Sequence, residues 1–309
     1  MAIRFSKLLV ITLSWLVLSS CDSDDGARFL PNENFNQDTR GAGFFEFKYQ
    51  FTTGEEPIKI HYFVPTNKAS DSEVLVVLHG LNRNAVVFRN TMQDIAEERN
   101  AILIVPEFSE ERFPGASGFN FGNVYTNGNN PTFGGLNLET DWSFSIIEPL
   151  FDYVVTQLQL NISSYKMYGH SAGAQFVHRF LLFKPNNRCE KFLVSASGWY
   201  TLVDNEIPFP YGLDNSILFG RDLSHAYRAN VIVQVGENDN DPNDPTLRNN
   251  EFTLQQGAHR KERAEFYYNF HQEQAGIENS EFNWEFVIVP NANHDIEPAS
   301  INAANLLLN

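Results

Sequence analysis

The sequence predicts an α/β domain whose mostly parallel central sheet is covered by helices on both faces. Three observations support this prediction. Short segments rich in β-branched residues alternate along the chain with longer segments of helical spacing. Most of the short segments are apolar throughout, as strands buried on both faces are. The chain has 309 residues, 42% of them hydrophobic, which is enough to form one large domain with a sizeable core.

The N-terminal segment is predicted to be an export signal. Arg4 and Lys7 precede the apolar run from Leu8 to Leu18, which is short for a bilayer span and typical of a secretory signal. The run continues into Leu-Ser-Ser-Cys, which resembles the lipobox of bacterial lipoproteins. Residues 1–20 are therefore expected to be a lipoprotein signal peptide and Cys21 the lipid-bearing residue, for example with palmitate. An ordinary cleaved signal with an incidental cysteine is the alternative.

Residues 21–43 are predicted to be a flexible tether, because they are polar, rich in Asp, Asn and Gly, and unable to bury a core. The domain itself is expected over residues 44–309. The protein is therefore expected to be lipid-anchored in the cell envelope, at the outer membrane. Exposure on the cell surface is a further option, since acidic residues after the cysteine resemble the tether of some surface lipoproteins. With Cys21 lipidated, Cys189 is the one thiol left, so no intrachain disulfide is expected.

The charge of the chain excludes some partners. Its net charge of −16 would repel phosphate backbones and anionic lipid surfaces, so no nucleic-acid partner is expected. The basic stretch from His259 to Arg263 could contact an anionic substrate. The favoured interpretation of this stretch is the solvated face of a helix.

The predicted elements alternate in type along the chain. Phe44–Phe51 and Ile58–Val64 alternate apolar and polar residues on either side of Gly54, as two half-buried antiparallel strands would. Further strands are predicted at residues 74–80, 101–108, 165–170, 191–197, 230–236 and 284–290. Helices are predicted at residues 85–99, 143–158, 172–183, 258–274 and 298–308. This order implies right-handed crossovers, with ligands beyond the carboxyl ends of the strands.

Ser171 is the candidate nucleophile. The segment from Gly169 to Gly173 has the pattern G-x-S-x-G, follows an apolar strand and opens directly into a helix. In this context a serine is exposed on a strained turn, and the flanking glycines let strand and helix approach closely. The backbone N–H of Ala172 is then directed to the position where an oxyanion forms. His170 is interpreted as packing in the turn rather than as a base.

A nucleophilic serine needs a histidine base, and in this context the acid and the base follow it in the order acid, then histidine. His225, His259 and His271 lie in segments predicted to be helical or irregular. His294 directly follows the last predicted strand. His294 is therefore predicted to be the base.

The acid is sought in the carboxylate-rich loop of residues 237–244. Asp239 is the third residue after the glycine that closes the preceding strand and is the predicted acid, with Asp241 as the alternative. A calcium loop of EF-hand type counted from Asp239 lacks the glycine and the glutamate that such a loop requires. No metal and no organic cofactor are expected.

A second oxyanion donor is expected from the loop after the first buried strand. This loop begins with His79 and Gly80, and the backbone N–H of Leu81 is the predicted donor. Gly80 lets the backbone approach the substrate, and His79 is expected to brace the loop.

Several segments together resemble a known family: LHGLNRNAVVFRN, VPEF, YGHSAGAQFVHR, GWY, GENDNDP, QGAHRKER and VPNANHD. They are similar to secreted α/β-hydrolases related to the polyhydroxybutyrate depolymerase and feruloyl-esterase lineage. The resemblance spans residues 74–295. It implies the α/β-hydrolase fold and a Ser-His-Asp serine esterase with its triad at Ser171, His294 and Asp239, and it leaves the substrate open.

Two segments are expected to wall the cleft, Ser109–Trp142 and Gly198–Asn215. Their aromatic residues, together with Asn and Gly, suit a carbohydrate ester or an aromatic acyl group. The alternative is that these aromatic residues only cover the domain surface.

The predicted function is hydrolysis of carboxylic esters through an acyl-enzyme, on a small-molecule or polysaccharide-linked ester. Two alternatives stay open. A peptidase or thioesterase could use the same triad. A catalytically inactive surface lipoprotein could use the hydrolase fold to bind carbohydrate.

Overall fold

The structure is a computed structural model and describes residues 34–308. The predicted signal peptide, the lipidation site Cys21 and the first part of the tether lie outside the described residues. Within the described range, no helix is both long enough and apolar enough to cross a membrane.

Eight strands form one sheet. In chain order they are β1 (Gly41–Phe51), β2 (Gly54–Val64), β3 (Val74–Leu78), β4 (Ile102–Pro106), β5 (Tyr165–His170), β6 (Cys189–Ser195), β7 (Val231–Gly236) and β8 (Trp284–Val289). Their order across the sheet is β1-β2-β4-β3-β5-β6-β7-β8. The β1–β2 hairpin is antiparallel, β2 is also antiparallel to β4, and every other pair is parallel. The predicted fold class is confirmed.

Eight α-helices lie between and after the strands. They are α1 (Ala85–Glu98), α2 (Gly115–Gly118), α3 (Ile147–Leu158), α4 (Ala172–Phe183), α5 (Ser224–Arg228), α6 (Glu251–Gln256), α7 (Arg260–Ile277) and α8 (Ile296–Leu307). The five predicted helices are present, whereas the short helices α2, α5 and α6 were not predicted. Residues 143–146, predicted to be α-helical, form a 3-10 turn that leads into α3.

The middle of the sheet is buried on both faces. Every residue of β3, β4, β5 and β7 is buried, as expected of apolar strands with helices above and below. On one face, α1 and α8 pack on a core that includes Leu75, Phe88, Leu103 and Leu307. This buried centre places the carboxyl ends of β3, β5 and β7 at one edge, where the candidate site lies.

The folded part begins earlier than residue 44. β1 starts at Gly41, and Phe35 is fully buried with its ring centroid 4.2 Å from that of Phe45. The composition of the whole tether segment is polar, but this one aromatic side chain finds a buried place beside the hairpin. The described end of the predicted tether therefore belongs to the domain.

Candidate active site

The Ser171 turn, residues 169–173, joins β5 to α4. Ser171 has φ 57° and ψ −116°, a conformation that costs a non-glycine residue free energy and occurs at functional sites. A Cβ atom on Gly169 would overlap the carbonyl oxygen of Gly173, and one on Gly173 would overlap the carbonyl oxygen of Leu78. The two glycines therefore let α4 start directly against β3 and β5, and the turn presents Ser171 to a cavity.

The turn is held by backbone hydrogen bonds on both sides of the serine. The N–H of Ser171 donates to the carbonyl of Ser195 at the end of β6, at 2.9 Å. The N–H of Gln175 donates to the carbonyl of Ser171 at 3.1 Å, which is the first bond of α4. Hydrogen bonds to β6 and within α4 thus hold Ser171 in its strained conformation.

His294 and Asp239 form a close pair. His294 Nδ1 lies 2.8 Å from Asp239 Oδ2, and Asp239 is 5% exposed. The imidazole is part-buried and lines the same cavity as Ser171. Asp241 is exposed, and its carboxylate accepts the N–H of Asn243 instead. The structure therefore brings Asp239 to His294 and leaves Asp241 outside the site.

Arg260 supports the same carboxylate and was missed in the sequence. Its Nη1 lies 3.3 Å from Asp239 Oδ1 and 2.7 Å from Asp244 Oδ2, and the side chain is 2% exposed. Arg263, one turn further along α7, is also fully buried. The interpretation of residues 259–263 as a solvated helix face is wrong for these two arginines. Arg260 and Asp239 are 21 positions apart, so no local pattern could have paired them.

His170 packs against the pair, as its position in the turn suggested. Its ring stacks on that of His294 with centroids 4.7 Å apart, and its Nδ1 lies 3.3 Å from Ser195 Oγ. Burial, with the nearby His294, holds the pKa of His170 well below its ordinary value. His170 is therefore neutral at physiological pH and presents an uncharged ring to the His294 imidazole.

The other downstream histidines lie away from the cavity. His225 Nε2 lies 3.0 Å from the carbonyl oxygen of Leu181, and His259 caps the start of α7. His271 is buried, where its Nε2 accepts the N–H of Val203. None of the three lines the cavity that contains Ser171.

The loop after β3 lines the cavity beside Ser171. Leu81 and Ala172, the predicted oxyanion donors, both line the cavity. His79 bonds on both sides, with Nδ1 3.0 Å from the Gly80 carbonyl and Nε2 accepting the N–H of Phe108 at 3.0 Å. Burial lowers the pKa of His79 to about 4, so this brace stays uncharged.

Arg83 connects the same loop to the predicted wall segment Ser109–Trp142, called the insertion. Its guanidinium donates to the carbonyls of Phe108 and Phe113 at 2.6 and 3.1 Å and lies 4.4 Å from the ring centroid of Phe119. No sequence pattern predicts a role for Arg83. The loop that carries Leu81 is consequently held against the segment that walls the cavity.

The cavity has a volume of about 330 Å³, at the lower end of the range for ligand pockets. Both predicted wall segments contribute to it. Asn120 and Phe121 come from the insertion and Gly198 and Trp199 from the segment after β6, and these four residues are called the Trp199 wall. The two segments therefore line the cleft rather than only covering the surface.

The donor chemistry of the site fits acyl transfer. Within residues 34–308, no group of three or more His, Cys, Asp or Glu side chains is arranged to hold a metal ion. The cavity is instead lined by a strained serine, by an imidazole bonded to a buried carboxylate, and by Leu81 and Ala172. The fold and this constellation define a hydrolase of the α/β-hydrolase class.

Comparisons with solved structures give the family. The chain is 32% identical to poly(aspartic acid) hydrolase-1 from Sphingomonas sp. KT-1, with a TM-score of 0.81, over 88% of this chain and 100% of that one. It is 27% identical to LpqC, a poly(3-hydroxybutyrate) depolymerase from Bordetella parapertussis, with a TM-score of 0.79, over 87% and 89% of the two chains. The chain belongs to the α/β-hydrolase family of poly(aspartic acid) hydrolase-1, and the predicted resemblance to the depolymerase lineage is confirmed.

More distant structures share the fold alone. FphF, a fluorophosphonate-binding serine hydrolase from Staphylococcus aureus, is 14% identical with a TM-score of 0.52, over 87% of this chain and 99% of its own. No sequence-family profile matches the chain. No curated protein matches it by sequence either.

Proposed function

We propose that this hydrolase cleaves carboxylic esters through a covalent acyl-enzyme formed on Ser171. One observation carries the proposal. The strained Ser171 and the imidazole of His294 line a single cavity, and His294 is bonded to Asp239, although the three residues come from separate loops at the carboxyl ends of β5, β7 and β8. Chance rarely brings a strained serine and a carboxylate-bonded imidazole into one pocket, whereas nucleophilic catalysis requires it.

The proposed reaction begins with attack by Ser171 Oγ on the ester carbonyl, while His294 Nε2 takes the hydroxyl proton. Asp239 accepts a hydrogen bond from Nδ1–H, which fixes the tautomer and stabilises the imidazolium. The N–H groups of Ala172 and Leu81 stabilise the oxyanion. Collapse breaks the ester C–O bond, and His294 gives its proton to the leaving alcohol. Water then attacks the acyl-enzyme with the same proton transfers, which releases the acid and restores the serine.

The residues of the Trp199 wall indicate which substrates the cavity suits. Phe121 and Trp199 offer aromatic surface, and Asn120 offers a polar group, which together suit an aromatic acyl group or a sugar-linked ester. The name of LpqC specifies a polyester. Poly(aspartic acid) hydrolase-1 is named for hydrolysis of a polyamide, so amide cleavage by the same residues is the second candidate.

A fluorophosphonate probe and a set of model esters test the proposal. Ser171→Ala is expected to abolish probe labelling and to lower ester hydrolysis by about 10⁵- to 10⁶-fold, leaving what binding and the oxyanion donors supply. Ser163→Ala, which changes an exposed serine on another loop, is the matched control and should label normally. Labelling that persists in Ser171→Ala contradicts the proposed nucleophile.

Acetyl, long-chain and feruloyl esters, each with its anilide and thioester, separate the remaining possibilities. Faster turnover of the esters supports the esterase proposal, and faster turnover of the anilides favours the amide candidate. A wild-type protein that is neither labelled nor active on any of these compounds, yet binds oligosaccharides, supports the inactive carbohydrate-binding alternative.

We further propose that the protein is lipid-anchored in the cell envelope, at the outer membrane. The support is the signal-like run that ends in Leu-Ser-Ser-Cys21 and the polar segment behind it. In a bacterial host the wild type should partition with membranes, and Cys21→Ala should be released or kept as precursor. Cys189→Ala is the control, because Cys189 is part-buried in the described structure. Equal solubility of wild type and Cys21→Ala without detergent rules out lipidation.

A further inference from the structure

Three arginines, called the arginine cluster, contact the Trp199 wall. Arg179 and Arg248 lie 4.5 and 4.9 Å from the ring centroid of Trp199, and Arg263 Nη1 donates to the carbonyl of Gly198 at 2.6 Å. Within residues 34–308, the arginine–carboxylate pairs involve other arginines, and no carboxylate lies within 4 Å of these three guanidinium groups. Arg179 and Arg263 are fully buried. Charges buried without a counterion are costly, and the chain as a whole is acidic, with a net charge of −16. Carbonyl oxygens accept hydrogen bonds from Arg179 and Arg263, but no carboxylate offsets the charge of the cluster.

Arg179 lies directly behind the cavity wall. Its guanidinium donates to the carbonyl of Asn120 at 3.0 Å and lies 4.7 Å from the ring centroid of Phe121 and 4.5 Å from that of Trp199. Its Nη2 is buried with no hydrogen-bond partner in the described part of the chain. Desolvation and the neighbouring Arg248 lower its pKa well below the ordinary value. Arg179 thus has no carboxylate partner within 4 Å in the described residues, and it is adjacent to three cavity residues.

Arg248 reaches the cavity itself. Its guanidinium lies 4.9 Å from the ring centroid of Trp199 and lines the same cavity as Ser171. Its Nη1 bonds to Asn129 Oδ1 at 2.7 Å and to the Tyr211 hydroxyl at 3.1 Å. Its Nε and Nη2 have no protein acceptor within residues 34–308. That pair of N–H groups is the edge of a guanidinium that binds a carboxylate through two parallel hydrogen bonds.

We propose that the Trp199 end of the cavity binds a carboxylate of the substrate, with Arg248 as the direct ligand and Arg179 and Arg263 providing the field behind it. The inference rests on the proposed function and names its substrate class, an ester with a carboxylate on its acyl or alcohol part near the scissile bond. Arg260 does not take this role, because Asp239 and Asp244 already neutralise it. Ser171 and Arg248 line the same cavity of about 330 Å³, so the proposed carboxylate site and the proposed nucleophile share one binding space.

Two matched substrate pairs differ only in charge. Mono-4-nitrophenyl adipate and its methyl ester place the charge on the acyl side, and 4-acetoxybenzoate and its methyl ester place it on the alcohol side. The readout is the ratio of kcat/KM for the charged compound to that for its neutral partner. The wild type should prefer the charged member of at least one pair, and 1 M salt should weaken this preference because it screens the attraction.

Arg248→Gln should lower the charge preference by about ten- to a hundred-fold, the range for loss of a hydrogen-bonded ion pair. Arg248→Lys should restore part of it, since charge is kept and the two-bond geometry is lost. Arg221→Gln, an equal loss of charge at an exposed arginine, is the control and should leave the ratio unchanged. A wild type that prefers neither charged compound, or an Arg248→Gln variant with the wild-type ratio, overturns the inference.

A binding measurement separates this inference from the proposed function. In Ser171→Ala, which cannot form the acyl-enzyme, adipate should raise the Tm more than its dimethyl ester does, and Arg248→Gln should remove the difference. Active hydrolysis of neutral esters without adipate binding overturns only the carboxylate site. Adipate binding by a protein that no fluorophosphonate labels overturns the esterase proposal and leaves the carboxylate site standing.

Discussion

The Ser171 turn and the Trp199 wall face each other across one cavity, but different forces hold them in place. The turn is fixed by backbone contacts with the neighbouring strands. Two glycines let α4 start against β3 and β5, and the N–H of Ser171 donates to the carbonyl of Ser195 at the end of β6. The wall is assembled from two distant segments and is held by side chains, above all by Arg179, which bonds to the Asn120 carbonyl and to Thr201 Oγ1. The proposed nucleophile thus lies on a turn fixed by the backbone, and the proposed substrate contacts lie on segments that side-chain substitutions can rearrange.

After the loss expected for Ser171→Ala, the largest expected effect lies at the His294–Asp239 pair. Asp239→Asn should lower kcat by about 10³- to 10⁴-fold, because the amide favours the wrong imidazole tautomer. Asp241→Asn is the matched control and should change kcat by less than about threefold, since Asp241 is exposed and bonds only locally. Steady-state ester hydrolysis measures both variants, and circular dichroism checks that Asp239→Asn still folds without its Arg260 pairing. The opposite ranking moves the acid to Asp241.

The second prediction compares one glycine from each region. Gly173→Ala should reduce the free energy of unfolding by about 3 kcal/mol or more, because its Cβ would overlap the Leu78 carbonyl oxygen and push α4 away from β3. Gly134→Ala, in the insertion that supplies part of the wall, has open space around its Cβ and should change stability by less than about 0.5 kcal/mol. Urea unfolding measures the difference, and equal values for the two variants contradict the contrast between turn and wall.

The third prediction concerns the pH dependence of the wall. His178 is fully buried in α4, and its Nε2 accepts the N–H of Thr201 at 3.1 Å. Burial holds its pKa well below the ordinary value of 6.5. Above pH 6.5, His178 is neutral in both the folded and the unfolded state, and its protonation does not reduce the free energy of unfolding. As the pH falls below this value, the unfolded state binds a proton that the folded state does not, so stability is lost.

His178→Gln removes this proton linkage. Between pH 6.5 and 5, the free energy of unfolding of the variant should fall less steeply than that of wild type, by about 1.4 kcal/mol per pH unit. Urea unfolding at pH 7.5, 6.5 and 5 gives the slopes. Parallel slopes for wild type and variant would show that His178 does not contribute to acid destabilisation.

Local patterns predicted most of the scaffold and the centre of the site. All eight strands were predicted within a few residues, because apolar β-branched runs have few alternatives in a chain of this composition. The Ser171 turn was predicted from five residues, because the glycines of a G-x-S-x-G motif between strand and helix let the two elements approach closely. His294 and Asp239 were selected by their positions after strands, and the structure brings them together at 2.8 Å.

The arginines show where local patterns end. Arg260 and Arg263 were interpreted as solvated because a basic run on a helix usually is, yet both are buried. Arg179 lies in an apolar helix with no carboxylate nearby in sequence, and nothing local marks it as a neighbour of Asn120 and Trp199. Burial of a charge is a property of the assembled layers, so only the packed structure reveals it.

By itself, the sequence of this protein determined the α/β class, the order of the strands along the chain, and the candidate serine, histidine and pair of carboxylates that follow the carboxyl ends of strands. These follow from periodicity and turn chemistry, which act over a few residues. Tertiary structure decided which carboxylate meets His294, how two distant segments close one cavity, and that its far end carries unpaired positive charge. Those properties depend on contacts between residues far apart in the chain, where proximity is set by packing and not by spacing.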